Sequence, residues 1–267
     1  MSGGYETLEV RRDGPVGWLV FDRPKVGNAI DAQMFLDLEA AWAELDADES
    51  VRVIVNTGNG DAFQTGLDVR QLAKEPEAMR RSSRQTRNFE LRMTAWHCGV
   101  WKPVIAAVNG MAVGGGFELA ISADLIVAAE HARFALPEIA AAAIADAATI
   151  KLPRRIPYHL AMDLLLTGRF MDAQEALRVG LVREVVPGER LLERARELAR
   201  MLAEGPPLVF AAIKEVIAET AHLPVAEAFR VVDSRALPTI ERLYTSEDML
   251  EGARAFAERR APQWKGR

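Results

Sequence analysis

Two short apolar runs, far apart in the chain, constrain its fold more than any other feature. Residues 51–55 read Val-Arg-Val-Ile-Val, and residues 104–108 read Val-Ile-Ala-Ala-Val. Such runs are typical of strands that are buried on both faces of a parallel sheet. Before the first run, residues 17–22 are strand-like, and Asp31 can cap a helix whose apolar residues between 35 and 45 keep helical spacing. The order of strand, helix and strand implies parallel pairing and predicts an α/β core.

Further strands are predicted on either side of this pattern. Residues 6–12 and 17–22 flank a turn sequence, so they predict a hairpin that enters the sheet. Residues 125–128 and 132–135 are also strand-like, and we expect them to pair as they run out and back. Residues 74–100 are charged and predict a mainly helical insertion that connects the two buried strands.

The chain becomes almost wholly helical in pattern beyond Pro157. Apolar residues recur at helical spacing in five segments, namely residues 158–167, 189–204, 207–220, 224–242 and 247–260. We therefore divide the chain into an α/β core over residues 1–200 and a C-terminal helical subdomain over residues 201–267.

Composition narrows the classes of function. The chain has 267 residues, of which 49% are apolar, which suits a globular protein with a real core. A single cysteine, Cys98, and four scattered histidines argue against a metal site, and a net charge of -5 gives no general attraction to nucleic acid. No segment resembles a signal peptide or an unbroken membrane span, so we expect a cytoplasmic protein that needs neither membrane nor nucleic acid.

A glycine-rich turn follows the second buried run. Residues 109–118 read Asn-Gly-Met-Ala-Val-Gly-Gly-Gly-Phe-Glu and lead into a predicted helix. Amides at the start of a helix carry partial positive charge, so they suit an anion or a developing oxyanion. Close packing of the helix on the sheet explains the glycines equally well. The spacing is not that of a dinucleotide-binding fingerprint.

Two acidic residues are the candidates for proton transfer. Glu118 falls in the first turn of the predicted helix, where the helix dipole favours the ionised carboxylate. Glu138 follows two strand-like segments. If these segments run in opposite directions, the chain returns near its starting point, and both acids can face one cleft. Each also has an ordinary interpretation, Glu118 as a helix N-terminal acid and Glu138 as a solvated loop acid. A second loop, residues 58–68, follows the first buried run and can supply a further backbone amide.

Together these residues resemble the crotonase superfamily, also called the enoyl-CoA hydratase/isomerase family. The matching stretches are residues 22–25, 28–29, 51–58, 62–68, 102–110, 114–118, 134–138, 166–169 and 173–186. The resemblance implies the crotonase fold, a spiral of ββα units with a C-terminal helical subdomain. Asp146 and the tail over residues 256–267 are similar to the carnitinyl-CoA dehydratase branch of the family.

The resemblance implies a reaction as well as a fold. The amides of Thr65 and Gly115 match the oxyanion hole of the family, and Glu118 and Glu138 match the two catalytic glutamates of its hydratases. It therefore implies a lyase that hydrates 2-enoyl-CoA thioesters or dehydrates 3-hydroxyacyl-CoA. Double-bond isomerisation and thioester hydrolysis use the same hole and stay open as alternatives.

The resemblance also implies the contacts of the substrate. Its CoA moiety would lie along two loops and the tail of a neighbouring subunit, at Lys25, Ala29, Ala62, Leu67, Asp68, Gly114, Phe256 and Arg259. Arg259 replaces the usual lysine and keeps a cation for a phosphate. Members of the family are homotrimers or dimers of trimers, and CoA is part of the substrate, so no separate cofactor is expected.

One loop departs from the family pattern. Residues 139–149 are alanine-rich and lack the usual glycines and proline. Alanine favours helix where glycine tolerates positive φ, so we expect this wall of the pocket to differ in shape, or the site to be weakened or repurposed. A threonine at position 65, where many members have alanine, adds a hydroxyl at the pocket mouth.

Other residues in the insertion remain open to two interpretations. Five arginines can meet CoA phosphates or a carboxylated acyl group, or form a solvated face balanced by glutamates: Arg80, Arg81, Arg84, Arg87 and Arg92. Trp96, His97 and Trp101 can line the acyl pocket, although the tryptophans are equally suited to packing. The altered loop and the arginines also suit an alternative interpretation, a non-catalytic scaffold or RNA-binding protein. The acidic net charge argues against it.

Overall fold

The structure is a computed structural model that describes residues 4–74 and 92–267. Within these ranges the strands are β1 Leu8–Asp13, β2 Val16–Phe21, β3 Val53–Gly58, β4 Ala62–Gln64, β5 Val104–Val108, β6 Met111–Val113, β7 Leu125–Ala129, β8 Arg133–Ala135, β9 Met171–Asp172 and β10 Glu184–Val186. The α-helices are α1 Ala32–Ala47, α2 Val69–Lys74, α3 Gly115–Ser122, α4 Asp146–Lys151, α5 Tyr158–Thr167, α6 Ala173–Arg178, α7 Leu191–Ala203, α8 Pro207–Thr220, α9 Val225–Asp233, α10 Pro238–Thr245 and α11 Glu251–Glu258.

The larger sheet has the strand order β1-β2-β3-β5-β7-β10. The predicted hairpin of β1 and β2 is antiparallel, whereas β2, β3, β5, β7 and β10 pair in parallel. Helix α1 connects β2 to β3 and begins where the sequence predicts, because the Asp31 side chain accepts a hydrogen bond from the Met34 amide. Parallel pairing of the two apolar runs is therefore confirmed.

A smaller sheet has the order β4-β6-β8-β9 and corrects one prediction. We expected residues 125–128 and 132–135 to pair with each other, but β7 pairs with β5 and β10, and β8 pairs with β6 and β9. The chain leaves the larger sheet after β3, β5 and β7 and enters the smaller sheet at once as β4, β6 and β8. A helix follows each of these pairs, which is the predicted spiral of ββα units.

The core fills both faces of the larger sheet. Strand β2 is buried throughout, with Leu19 and Phe21 in one hydrophobic cluster and Trp18 and Val20 in another. The first cluster lies towards α1 and the smaller sheet, and the second includes Leu198 of α7. This alternation explains why the strands read as continuous apolar runs, since neither face meets water.

The structure differs from the sequence prediction in three further places. Two short strands, β9 and β10, interrupt the region that reads as wholly helical. The helix predicted over residues 224–242 is divided into α9 and α10, because Arg235 adopts a positive φ of 53° and Pro238 begins a new helix. Residues 95–99 form turns rather than helix, and the rest of the predicted insertion, residues 75–91, lies outside the described residues.

Helices α7 to α10 span the predicted boundary at residue 200, and the division into core and subdomain stays a prediction. Helix α7 contains residue 200 and packs on the larger sheet, whereas α8 and α10 share a small cluster of Ala212, Leu237 and Ile240. In the part of the chain that the structure describes, no helix is long and apolar enough to cross a membrane.

Candidate active site

Glu118 is a buried carboxylate in the first turn of α3. Its side chain is 6% exposed, and its Oε1 accepts a hydrogen bond of 2.9 Å from the Ala148 amide at the start of α4. The pKa of Glu118 is raised to about 7, mainly by burial; the negative charges of Glu138 and Asp146 contribute to the rise, and the hydrogen bond from that amide opposes it. Glu118 can therefore take up or release a proton near neutral pH.

Glu138 lies in a 3₁₀ turn, Pro137–Ala141, directly after β8. Burial raises the pKa of its carboxyl, and the charge of Asp146 adds to this effect. Its Oε2 is buried and has no hydrogen-bond partner among the described residues. An unsatisfied buried oxygen of this kind calls for a partner from outside the chain, such as a substrate.

Gly114 brings Glu138 to the glycine-rich turn. A Cβ atom on Gly114 would lie 2.7 Å from Glu138 Oε1, and Gly114 has a positive φ of 56°. Both the close approach and the backbone conformation require glycine here. Because α3 begins at the next residue and carries Glu118 in its first turn, the structure brings the two carboxylates to one place.

The second glycine loop touches the first. A Cβ atom on Gly66 would lie 3.5 Å from the Gly115 amide nitrogen, and a Cβ atom on Gly115 would lie 3.8 Å from Gly66 Cα. The first intrahelical bond of α3 runs from the Glu118 amide to the Gly114 carbonyl, so the Gly115 amide precedes the bonded part of the helix. The two predicted oxyanion loops are therefore in contact at the start of α3.

Thr65 precedes this second glycine, and its hydroxyl has a structural partner. The Oγ1 atom donates to the Gly27 carbonyl at 3.0 Å, which joins the loop to the chain segment after β2. The Gly66 amide donates to Gln64 Oε1 at 2.8 Å, so this amide already has a partner within the loop.

The predicted CoA contacts in the N-terminal half lie on two loops that are joined to each other. The Ile30 amide donates to the Gly66 carbonyl, and the Asp68 amide donates to the Ile30 carbonyl, each at 2.8 Å. Ala29 and Ala62 are buried, whereas Lys25 and Leu67 are exposed. Lys25, Ala29, Ala62, Leu67 and Asp68 are thus brought to one edge of the molecule, beside the glycine turn.

The two predicted contacts in the tail lie on the surface of the described chain. Phe256 is 88% exposed on α11, and Arg259, which ends that helix in a left-handed conformation, is also exposed. Their assignment to a neighbouring subunit stays a prediction.

Several residues of the site escaped the sequence analysis. Arg23 forms ion pairs with Asp31 at 3.1 Å and Asp68 at 3.3 Å, and its guanidinium donates to the Ala29 carbonyl. The Asn28 side chain donates to the carbonyls of residues 59, 62 and 63. Gly27 and Asn28 both adopt positive φ, and a Gly-Asn pair is a turn signal that the sequence analysis could have used.

Asp146 is a third carboxylate near the pair. It is the first residue of α4, two positions before the amide that binds Glu118, and its charge raises the pKa of both glutamates. Within the described ranges, however, no group of three or more His, Cys, Asp or Glu side chains could hold a metal ion.

The structure describes only some of the residues that were predicted to lie on the insertion. Arg80, Arg81, Arg84 and Arg87 lie outside the described residues, and Arg92 is 3.7 Å from Glu39 on α1. Trp96, His97 and Trp101 line one cavity, which also reaches Ala147, the residue before the amide that binds Glu118.

Comparisons with known proteins identify the family of the chain. The sequence model of the family described as "Enoyl-CoA hydratase/isomerase" matches residues 11–267. The chain belongs to the enoyl-CoA hydratase/isomerase family. It is 43% identical to the carnitinyl-CoA dehydratase of Salmonella typhi over 270 residues, which covers 98% of this chain and 99% of that protein. It is 42% identical to the carnitinyl-CoA dehydratase of Citrobacter koseri, with the same coverage.

Solved structures of the enoyl-CoA hydratase/isomerase family share the whole fold. An enoyl-CoA hydratase/isomerase from Mycobacterium paratuberculosis gives a TM-score of 0.88 at 31% identity and covers 99% of this chain and 100% of its own. An enoyl-CoA hydratase from Mycobacterium tuberculosis gives 0.84 at 34% identity, covering 98% and 99%. The predicted family, fold and class of enzyme, a hydratase or dehydratase of CoA thioesters, are therefore confirmed.

Proposed function

We propose that the chain catalyses the reversible dehydration of a 3-hydroxyacyl-CoA thioester with Glu118 and Glu138 as its acid/base pair. The observation that carries the proposal is the meeting of these two buried carboxylates at a pair of touching glycine loops. A hydration reaction needs a base that accepts a proton from water and an acid that donates a proton to carbon C2. Two carboxyl groups whose pKa values are both raised by burial suit this need, because one can be ionised while the other keeps its proton.

In the hydration direction, Glu118 accepts a proton from water as the water oxygen bonds to C3. The electrons of the double bond move towards the thioester carbonyl, whose oxygen becomes negative. The amides of Thr65 and Gly115 stabilise this charge, and Glu138 then delivers a proton to C2. The reverse sequence removes water. Each oxyanion donor of this kind is worth about 3 kcal/mol, and acid/base assistance contributes roughly 10² to 10⁴ in rate.

The acyl group that we propose is a quaternary ammonium acyl, as in carnitinyl-CoA. Relatives at 43% and 42% identity carry the name carnitinyl-CoA dehydratase. The carboxylate of Asp146, close to both glutamates, adds negative potential that favours a cationic acyl group. Asp146 lies on the altered loop, residues 139–149, so we propose that this loop determines the specificity for the acyl group.

We further propose that CoA lies along the edge formed by Lys25, Ala29, Ala62, Leu67 and Asp68. The exposed ammonium of Lys25 suits a phosphate group. In an assembled homotrimer or dimer of trimers, Phe256 and Arg259 of one subunit would complete the CoA site of the next. The enzyme would act in the cytoplasm and, with CoA as part of its substrate, would need no separate cofactor.

The test follows the absorbance of the enoyl thioester with crotonobetainyl-CoA and with crotonyl-CoA. We expect turnover of both, with kcat/KM higher for the betaine. Glu138→Gln and Glu118→Gln should each reduce kcat by roughly 10² to 10⁴. Glu130→Gln serves as the matched control, because Glu130 is an exposed acid between β7 and β8 and should leave kcat unchanged.

Mass spectrometry of the products separates the possible reactions of this site. Hydration adds one water and keeps CoA attached, isomerisation leaves the mass unchanged, and hydrolysis releases free CoA. A parent protein that only isomerises or hydrolyses, or glutamate variants as active as the parent, would overturn the proposal.

A further inference from the structure

A cavity of about 710 Å³ lies at the amino ends of β5 and β7, away from the glycine turn. Its walls come from residues 96–101, from α4 and from α8. The cavity and the active site are separated by α4, because Ala147 lines the cavity while the next amide binds Glu118. Its volume is typical of sites that bind small organic ligands.

One side of the cavity is apolar and open to solvent. Trp96, Ile150, Ile213 and Ile217 all line it, and each is more than half exposed. A contiguous group of large exposed apolar side chains is typical of a surface that is covered in the working protein. The apolar wall alone does not identify what covers it.

The other side carries an excess of positive charge. Lys151, Arg154, Arg155 and Lys214 line the cavity, whereas Asp124 is the one carboxylate among its described lining residues. Lys214 Nζ lies 2.8 Å from Asp124 Oδ2, so this acid is already paired. Arg154 and Arg155 form no ion pair with any described side chain. The chain as a whole is acidic, with a net charge of -5, so this local excess is notable.

The environment of these cations is unfavourable in the chain by itself. Lys151 Nζ donates to the neutral Ser122 hydroxyl at 2.9 Å and lies 5.2 Å from the centre of the Trp96 ring. The pKa of Lys151 is lowered to about 8, mainly by burial and also by the charge of Arg155, which Asp124 and Glu118 offset only in part. Arg155 is exposed to solvent, but partial desolvation lowers its pKa, and Asp124 opposes this only in part. A bound anion would relieve both effects.

We propose that this cavity binds an amphiphile with one carboxylate head and a hydrocarbon chain. The head would lie between Lys151 and Arg155, and the chain would lie along Trp96, Ile150 and Ile217. Charge complementarity selects the anion, because three cations remain after the pair of Lys214 and Asp124. The inference is independent of the proposed reaction, since the ligand carries no CoA.

The test uses decanoate with two bromine atoms near the end of its chain, which quench tryptophan fluorescence on contact. Two of the five tryptophans of the chain, Trp96 and Trp101, line the cavity. We expect saturable quenching whose amplitude falls in Trp96→Phe. The brominated alcohol of the same chain length should bind at least about tenfold more weakly, as expected for loss of charge-assisted hydrogen bonds.

The variants locate the head group. Arg155→Gln should raise Kd about tenfold, and Arg178→Gln, an exposed arginine on α6, should leave Kd unchanged. Near-ultraviolet circular dichroism confirms that each variant is folded. Equal binding of acid and alcohol, or equal Kd in Arg155→Gln and the parent, would overturn the proposal.

A second copy of the chain is the competing occupant. If decanoate does not quench, and Ile217→Glu lowers the mass of the parent assembly in light scattering, the cavity is a contact between subunits and the proposal is wrong.

Discussion

The protonation of Glu118 is decided by burial rather than by its place in a helix. The sequence predicts an ionised carboxylate, because the first turn of a helix stabilises negative charge by about 0.3–1 kcal/mol. In the structure, burial raises the pKa from 4.5 to about 7, which corresponds to roughly 3 kcal/mol against the ionised form. The effect of burial is the larger one, so Glu118 changes its protonation state near neutral pH, although the helix dipole alone favours the ionised form.

This shift predicts a pH dependence of stability. The folded protein binds the Glu118 proton more tightly than the unfolded chain, so the stabilisation is complete below pH 4.5 and is lost as the pH rises through about 7. We expect Glu118→Gln to gain up to roughly 3 kcal/mol in free energy of unfolding relative to the parent between pH 5 and pH 8.5. Urea unfolding at both pH values measures this difference.

The exposed Glu130→Gln variant is the control for that measurement. It should follow the parent at both pH values, since no buried charge is removed. If the free energy of unfolding changed equally with pH in Glu118→Gln and the parent, folding would not raise the pKa of Glu118, and the prediction would be wrong.

At the residue scale, the sequence indicates candidate residues but not their environment in the folded protein. Glu118, Glu138 and the Asp31 cap are visible because each stands in a local pattern of turn, helix or strand. The partner of Glu118, the amide of Ala148, is 30 positions away in sequence and could not be anticipated. The same holds for Asp146, whose effect depends on distance through space.

At the scale of elements, the alanine-rich loop shows how sequence and fold compete. The local preference is for helix, yet the segment after the 3₁₀ turn Pro137–Ala141 breaks at Ala142, which has a positive φ of 53°. This conformation costs an L-residue about 1–2 kcal/mol relative to a right-handed one. The conformation is kept despite this cost because the chain must turn after Glu138, so that the Ala148 amide of α4 can bind Glu118.

Ala142→Gly should therefore stabilise the protein. Glycine adopts positive φ freely, and after allowance for its extra entropy in the unfolded chain we expect a gain of about 0.5–1 kcal/mol. Thermal or urea unfolding measures it. Ala141→Gly, one residue earlier inside the 3₁₀ turn, should instead lower stability by a similar amount. Equal effects of the two changes would contradict the assignment of strain to Ala142.

The whole molecule exposes more apolar surface at its C-terminal end than a monomer needs. Helix α9 has no buried residue, although it carries large apolar side chains. Val225 is 74% exposed and Phe229 is 64% exposed, and they lie four positions apart on one face of the helix. Phe256 on α11 is also exposed. Such surface is typical of a contact between subunits.

We therefore predict a homotrimer or a dimer of trimers in solution. Light scattering after size exclusion should give a mass of at least three times the 29.4 kDa chain. Phe229→Asp should shift the protein to smaller species and reduce turnover, because the CoA site would lose its contribution from the next subunit. Leu36→Asp, at an equally exposed position on α1, is the control. A monomeric parent protein would contradict the prediction.

Local patterns in the sequence were sufficient for the type of most elements, and the resemblance to the family supplied the candidate residues of the site. Apolar runs predict strands and spacing predicts helices, because each depends on neighbours in the chain. Only the tertiary structure decided that β7 and β8 belong to different sheets, that Ala142 is strained, and that burial raises the pKa of Glu118. These properties depend on contacts and solvent exclusion between distant segments, and no local pattern carries that information.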